Sequence, residues 1–98
     1  MDQLLIKNGN LYIDHALYDT HLSPADSVVL LLKECTYYIL PVQQTAGGLL
    51  MKVRNIRGDR VIHAQEFLQG NGIDDNCEIA INVQWDAQAA ALIFRLDE

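Results

Sequence analysis

Histidine is the side chain best suited to moving protons or holding a metal near neutral pH, and this chain has three. His15 and His21 share one polar stretch, as Asp14-His15 and Asp19-x-His21, and His63 stands three residues before Glu66. Zinc needs three or four such ligands converging at about 2 Å. These pairs match no zinc or cupin-type spacing. Read on one strand, His63 and Glu66 point to opposite faces. The plain reading is surface histidines in a loop, with one partly buried, so neither a metal nor a cofactor is expected.

Thiol and hydroxyl chemistry finds no signature either. Cys35 and Cys77 lie far apart and in no C-x-x-C spacing, which reads as two reduced, small apolar residues. Cys35 falls at a turn and is the more accessible thiol. A reactive thiol needs a nearby cation, and Lys33 is the one on offer. There is no G-x-S-x-G elbow. Gly47-Gly48 and Gly70-Asn71-Gly72 lack the P-loop lysine and the G-x-G-x-x-G spacing. Asp74-Asp75 lacks the alternating oxygen ligands of an EF-hand loop. No catalytic residue can be named. His15, His21, His63, Glu66 and Cys35 are the candidates for binding a small molecule.

Charge gives a second set of candidates. Lys52, Arg54, Arg57 and Arg60 gather most of the 7 basic residues of a chain whose formal net charge is -6. Such a hairpin can contact phosphates or an acidic partner, although a solvated face with internal salt bridges is the plainer reading. Tyr37 and Tyr38 are strand neighbours, so one faces in and one faces out. An outward tyrosine beside apolar residues suits an interface. These six residues are the partner-binding candidates. Arg57-Gly58-Asp59 spells an adhesion tripeptide, read here as coincidence.

The elements that must position these residues are mostly strands. Odd positions from Cys77 to Trp85 are apolar and even positions are mostly polar, the period of a strand with one buried face. A turn at Asp86-Ala87-Gln88 leads to a partner strand from Ala90 to Leu96. Leu49–Arg54 and Arg60–Ala64 form a second hairpin about Gly58-Asp59. Val28–Leu32 and Thr36–Leu40 form a third, joined by Lys33-Glu34-Cys35. Leu4–Lys7 and Leu11–Asp14 form a fourth about Asn8-Gly9-Asn10, where Asn-Gly is a strong turn signal. Ser23-Pro24-Ala25-Asp26 reads as a helix start, with an N-cap serine and proline behind it. The expectation is a single helical turn near 23–27. The alternative is a full helix over about 24–35.

The 98 residues suit one domain, 1–98. The expected class is all-β: a small antiparallel sandwich or barrel of about six to eight strands built from hairpins. The alternative helix would make it α+β. No run of about 18 apolar residues is present, so no membrane span is expected. The start of the chain lacks the basic and apolar segments of a signal peptide, which gives a cytoplasmic expectation. Half the residues are hydrophobic and 20% are charged. A small chain of that composition leaves apolar surface exposed, which favours a homo-oligomer, most simply a dimer. The function expected is a non-catalytic interaction or accessory domain. Two alternatives stand beside it: a small-molecule binder or small enzyme with a cleft near His15, His21 or His63, and a nucleic-acid or acidic-partner binder using the hairpin 52–60. The acidic balance speaks against nucleic acid.

Overall fold

A computed structural model of the chain describes residues 2–43 and 47–96. The first hairpin joins β1 (Gln3–Lys7) to β2 (Asn10–Ile13). Asn8 and Gly9 make its two-residue turn with φ of 55° and 78°. Two left-handed residues match the twist of the flanking strands, which is why Asn-Gly serves here. Leu4 and Ile6 on β1 and Leu11 and Ile13 on β2 point inward and are buried. Leu5, Lys7, Asn10 and Tyr12 alternate with them and point outward.

A short helical segment follows, as α1 (His15–Leu17) and a π-helical turn (Tyr18–Leu22). The turn expected near 23–27 therefore lies upstream, and Ser23 ends it rather than starting it. Asp14 is the cap: its carboxylate accepts the Leu17 N–H at 2.8 Å. Ser23 is extended (φ -62°, ψ 141°), and its N–H donates to Tyr18 O at 2.8 Å. Leu17, Tyr18 and Leu22 bury the inner side of the segment. The alternative helix over 24–35 does not form. Its residues enter β3 (Ser27–Lys33), which pairs along its full length with β4 (Thr36–Val42). β-branched Val28 and Val29 suit that ladder.

β5 (Leu49–Val53) and β6 (Arg60–His63) form the middle hairpin. β6 runs on into α2 (Gln65–Gly70), a helix absent from the sequence expectation. β7 (Glu78–Asn82), β8 (Gln84–Asp86) and β9 (Ala91–Phe94) complete the chain. The run from Cys77 to Trp85 is not one strand with one partner. β7 pairs with β1 and β8 pairs with β9, the change of partner falling at Val83. The Val83 N–H donates to Asp2 O at 3.0 Å.

Among the described residues the nine strands are all antiparallel, in the order β7-β1-β2-β6-β5-β3-β4-β9-β8. The two ends of that order, β7 and β8, are separated in the chain by Val83 alone. The sheet therefore nearly closes on itself as a barrel. The inward side chains fill it, with Ile6, Ile13, Ile39, Ile62, Leu68 and Leu92 among the fully buried ones. This is the all-β architecture expected from the hairpins, with β7 and β8 acting as one strand bent at the closure.

Candidate interaction surface

The outward side chains divide the barrel into two unlike halves. On β1, β2, β5, β6 and β7 the outer positions include Lys7, Asn10, Lys52, His63 and Glu78, the usual solvated face of a small sheet. On β3, β4 and β9 most are apolar, with Lys33 and Thr36 at the turn end of the β3–β4 ladder and Ser27 at the other. Leu31 faces Tyr38 across the ladder, and Tyr38 faces Ile93 on its other side. Val29 faces Leu40 in the next row. Leu50 on β5 borders the patch, opposite Ser27. Side chains paired in this way stand about 5 Å apart, so the six form one surface. Leu31 is 48% exposed and Leu50 44%. From Ser27 to Leu32, from Thr36 to Gln43 and from Ala91 to Phe94 there is no Asp, Glu, Lys or Arg.

The two tyrosines part as strand neighbours must. Tyr37 is buried, stacked on Phe94 at 5.0 Å and meeting Phe67 edge-on at 6.2 Å. It is a core residue, so Tyr38 alone of the pair faces outward. Cys35 is exposed in the β3–β4 turn, and its thiol is free, as is that of Cys77. Glu34 and Cys35 make that turn with φ of 51° and 69°.

The four cations of the middle hairpin do not act together. Arg57 is paired with Asp59 at 2.9 Å. The Arg60 side chain donates to Gly58 O at 2.8 Å and lies over the Tyr18 ring, 3.8 Å from its centroid. Lys52 and Arg54 remain on the outer surface. Asp59 is the hub of the loop. Its Oδ1 accepts the His15 N–H at 2.8 Å and meets the His15 ring Nδ1 at 3.2 Å, while its Oδ2 accepts from Asn55 Nδ2 at 2.8 Å. The hydrogen bonds from Asn55 and from the His15 backbone hold its carboxyl well below the usual carboxylate range. Burial opposes them, and the His15 ring and the Arg57 charge add to them. The Asp59 carboxylate is thus spent inside the loop, which removes it from any adhesion-type contact.

The three histidines take three separate partners. His15 packs on Asp59. His21 stacks on Trp85 at 5.3 Å, and its Nε2 lies 3.5 Å from Asp2 Oδ2. His63 Nδ1 lies 3.0 Å from Asn10 Oδ1. Among the described residues no group of three or more His, Cys, Asp and Glu side chains is placed to hold a metal ion. His63 and Glu66 do come together, along a cavity of about 340 Å³ shared with Leu49 and Phe67. The strand rule placed them on opposite faces because it continued β6 past His63, where α2 takes over. His21 lines a different cavity, of about 480 Å³, with Ser23, Pro24 and Pro41.

The outer rows of β3, β4 and β9 escaped the sequence reading. Their signal was available: three neighbouring segments that are apolar at odd and even positions alike, where a half-solvated strand alternates. No family model matches the chain, and no curated protein or solved structure matches it either.

Proposed function

We propose that the chain is a non-catalytic interaction domain that pairs with a second copy of itself through the outer face of β3, β4 and β9. The observation that carries this reading is the uncharged apolar surface of Val29, Leu31, Tyr38, Leu40, Ile93 and Leu50 on an otherwise acidic molecule. Interface centres are depleted in charge and enriched in apolar and aromatic side chains. A copy of net charge -6 approaches another most easily over a neutral face. Contact through this face needs no free strand edge, although among the described residues the β3 edge beyond Val28 and the short outer edges of β7 and β8 have no strand partner.

The size of the surface sets the strength. β3 and β4, of seven residues each, are about 23 Å long, and three strands side by side are about 14 Å wide. A patch of that extent is smaller than a standard stable interface, so the association is expected to be weak and concentration-dependent. Free Cys35 and Cys77 suit a reducing compartment, and the cytoplasm is the location proposed. No helix among the described residues is long and apolar enough to cross a membrane. The basic-hairpin alternative has less support, because Arg57 and Arg60 are engaged within the chain.

The test is Leu31→Lys, which puts a charge at the centre of the face. The variant is expected to run as a monomer in light scattering where the parent runs as a dimer, with an unchanged far-UV circular dichroism spectrum. Lys52→Ala, on the polar half, is expected to leave the dimer intact. Equal masses for parent and Leu31→Lys at every concentration would refute the assignment of the face.

A further inference from the structure

The polar half of the barrel carries a cleft of about 300 Å³ over β1, β2 and β7. Leu5, Tyr12 and Ala80 make its floor and stand side by side by register, Leu5 between the other two. Ala80 is why the surface dips. Its outward neighbours along β7 are Glu78 and Asn82, both far longer. Gln3, Asp14, Arg54 and Asp59 stand around the floor.

Arg54 is held ready without being neutralised. Its backbone N–H donates to Asp59 O at 2.8 Å, which fixes the root of the side chain. Its guanidinium carbon lies over the Tyr12 ring, 4.5 Å from the centroid. A cation stacked on a ring is oriented while its N–H groups stay available at the edge. No carboxylate among the described residues forms an ion pair with it, in a chain with 13 acidic residues. Asp59, the acid closest in sequence, is committed to His15, Asn55 and Arg57.

The other groups are acceptors. Gln3 donates through Nε2 to Asn82 Oδ1 at 2.9 Å, which leaves Gln3 Oε1 to accept. Asp14 uses Oδ1 to cap α1, which leaves Oδ2. The cleft thus offers a fork of donors for a carboxylate, acceptors for an ammonium, and an apolar floor. We infer that it binds a free amino acid with an apolar side chain: carboxylate on Arg54, ammonium toward Asp14 and Gln3, side chain on Leu5 and Ala80. This site lies on the half of the barrel away from the proposed dimer face and does not depend on it.

The test is an amide NMR titration of the full chain with L-leucine, beside 4-methylpentanoate, which lacks the ammonium, and isoamylamine, which lacks the carboxylate. L-leucine is expected to give saturable shifts at Leu5, Tyr12 and Ala80 with a dissociation constant of about 1 mM, and 4-methylpentanoate and isoamylamine to bind at least about tenfold more weakly. Arg54→Gln is expected to weaken L-leucine by about tenfold or more. Ala80→Leu fills the floor from the opposite side and is expected to abolish the shifts, so the result does not hang on one variant's folding. Absence of saturable shifts with L-leucine up to about 50 mM overturns the assignment. So does equal binding of either analogue, or binding that survives Ala80→Leu.

Discussion

Asp59 is buried, yet its carboxylate is fully used, by His15 on one oxygen and by Asn55 and Arg57 on the other. Its pKa is lowered on folding, so it stabilises the fold above the ordinary carboxylate value of 3.8, and that contribution is lost as pH falls below it. Asp59→Asn is expected to lower the urea midpoint at neutral pH and to flatten its decline on acidification below about pH 4. Urea titrations of parent and variant at several pH values check both. Glu34 and Cys35 make the opposite case. A two-residue hairpin turn with both φ positive favours Asn-Gly, and these side chains occupy it at a cost. The double change Glu34→Asn with Cys35→Gly is expected to stabilise the protein by about 1 kcal/mol in urea unfolding. Gly9 in the equivalent turn allows no such freedom. A Cβ there would run into Gln65, and φ is +78°.

At the scale of elements, α2 shows how a short helix is held by its ends and one anchor. It has no side-chain N-cap, since Ala64 precedes it. Its C-terminus is closed by Gly72 N–H to Gln69 O at 3.1 Å and Ile73 N–H to Leu68 O at 2.8 Å. That is the Schellman pattern, with Gly72 left-handed at φ 84°. No atom lies within 4 Å of a Cβ built on Gly72, so the conformation alone opposes a side chain. Gly72→Ala is expected to cost about 1 kcal/mol, measured by thermal or urea unfolding. This helix was hidden in the sequence because six residues carry too little periodicity and Gly70-Asn71-Gly72 reads as an open loop. The hairpins were legible because turn chemistry and alternation agree locally: Asn8-Gly9, Gly58-Asp59 and the pattern of Leu49, Met51 and Val53. The helical segment was misplaced because Ser23-Pro24 imitates a start signal, while the working cap, Asp14, sits at the end of β2. The exchange of partner at Val83 depends on closure of the whole sheet, which no local pattern records.

At the scale of the molecule, the outer rows of β3, β4 and β9 are the continuous apolar surface, while other exposed apolar side chains, such as Val53 and Ile56, lie on the middle hairpin. Composition predicted that some apolar surface would remain, and its position follows from register: Val29, Leu31, Tyr38, Leu40 and Ile93 meet only once β3, β4 and β9 are aligned. The candidate residues taken one by one from the sequence scattered. His15, Arg57 and Arg60 went into loop and ring contacts, Tyr37 into the core, and Tyr38 onto the apolar half. Chemistry-bearing side chains are most often consumed by structure, and only the fold shows which are left over. Arg54 and the outer face of β3, β4 and β9 are what this fold leaves over. Self-association through that face is the central claim, and sedimentation velocity of the full chain over about 5 to about 200 µM tests it most directly. The weight-average mass is expected to climb from monomer toward twice 11.0 kDa with rising concentration. A mass that stays at that of one chain throughout would contradict it.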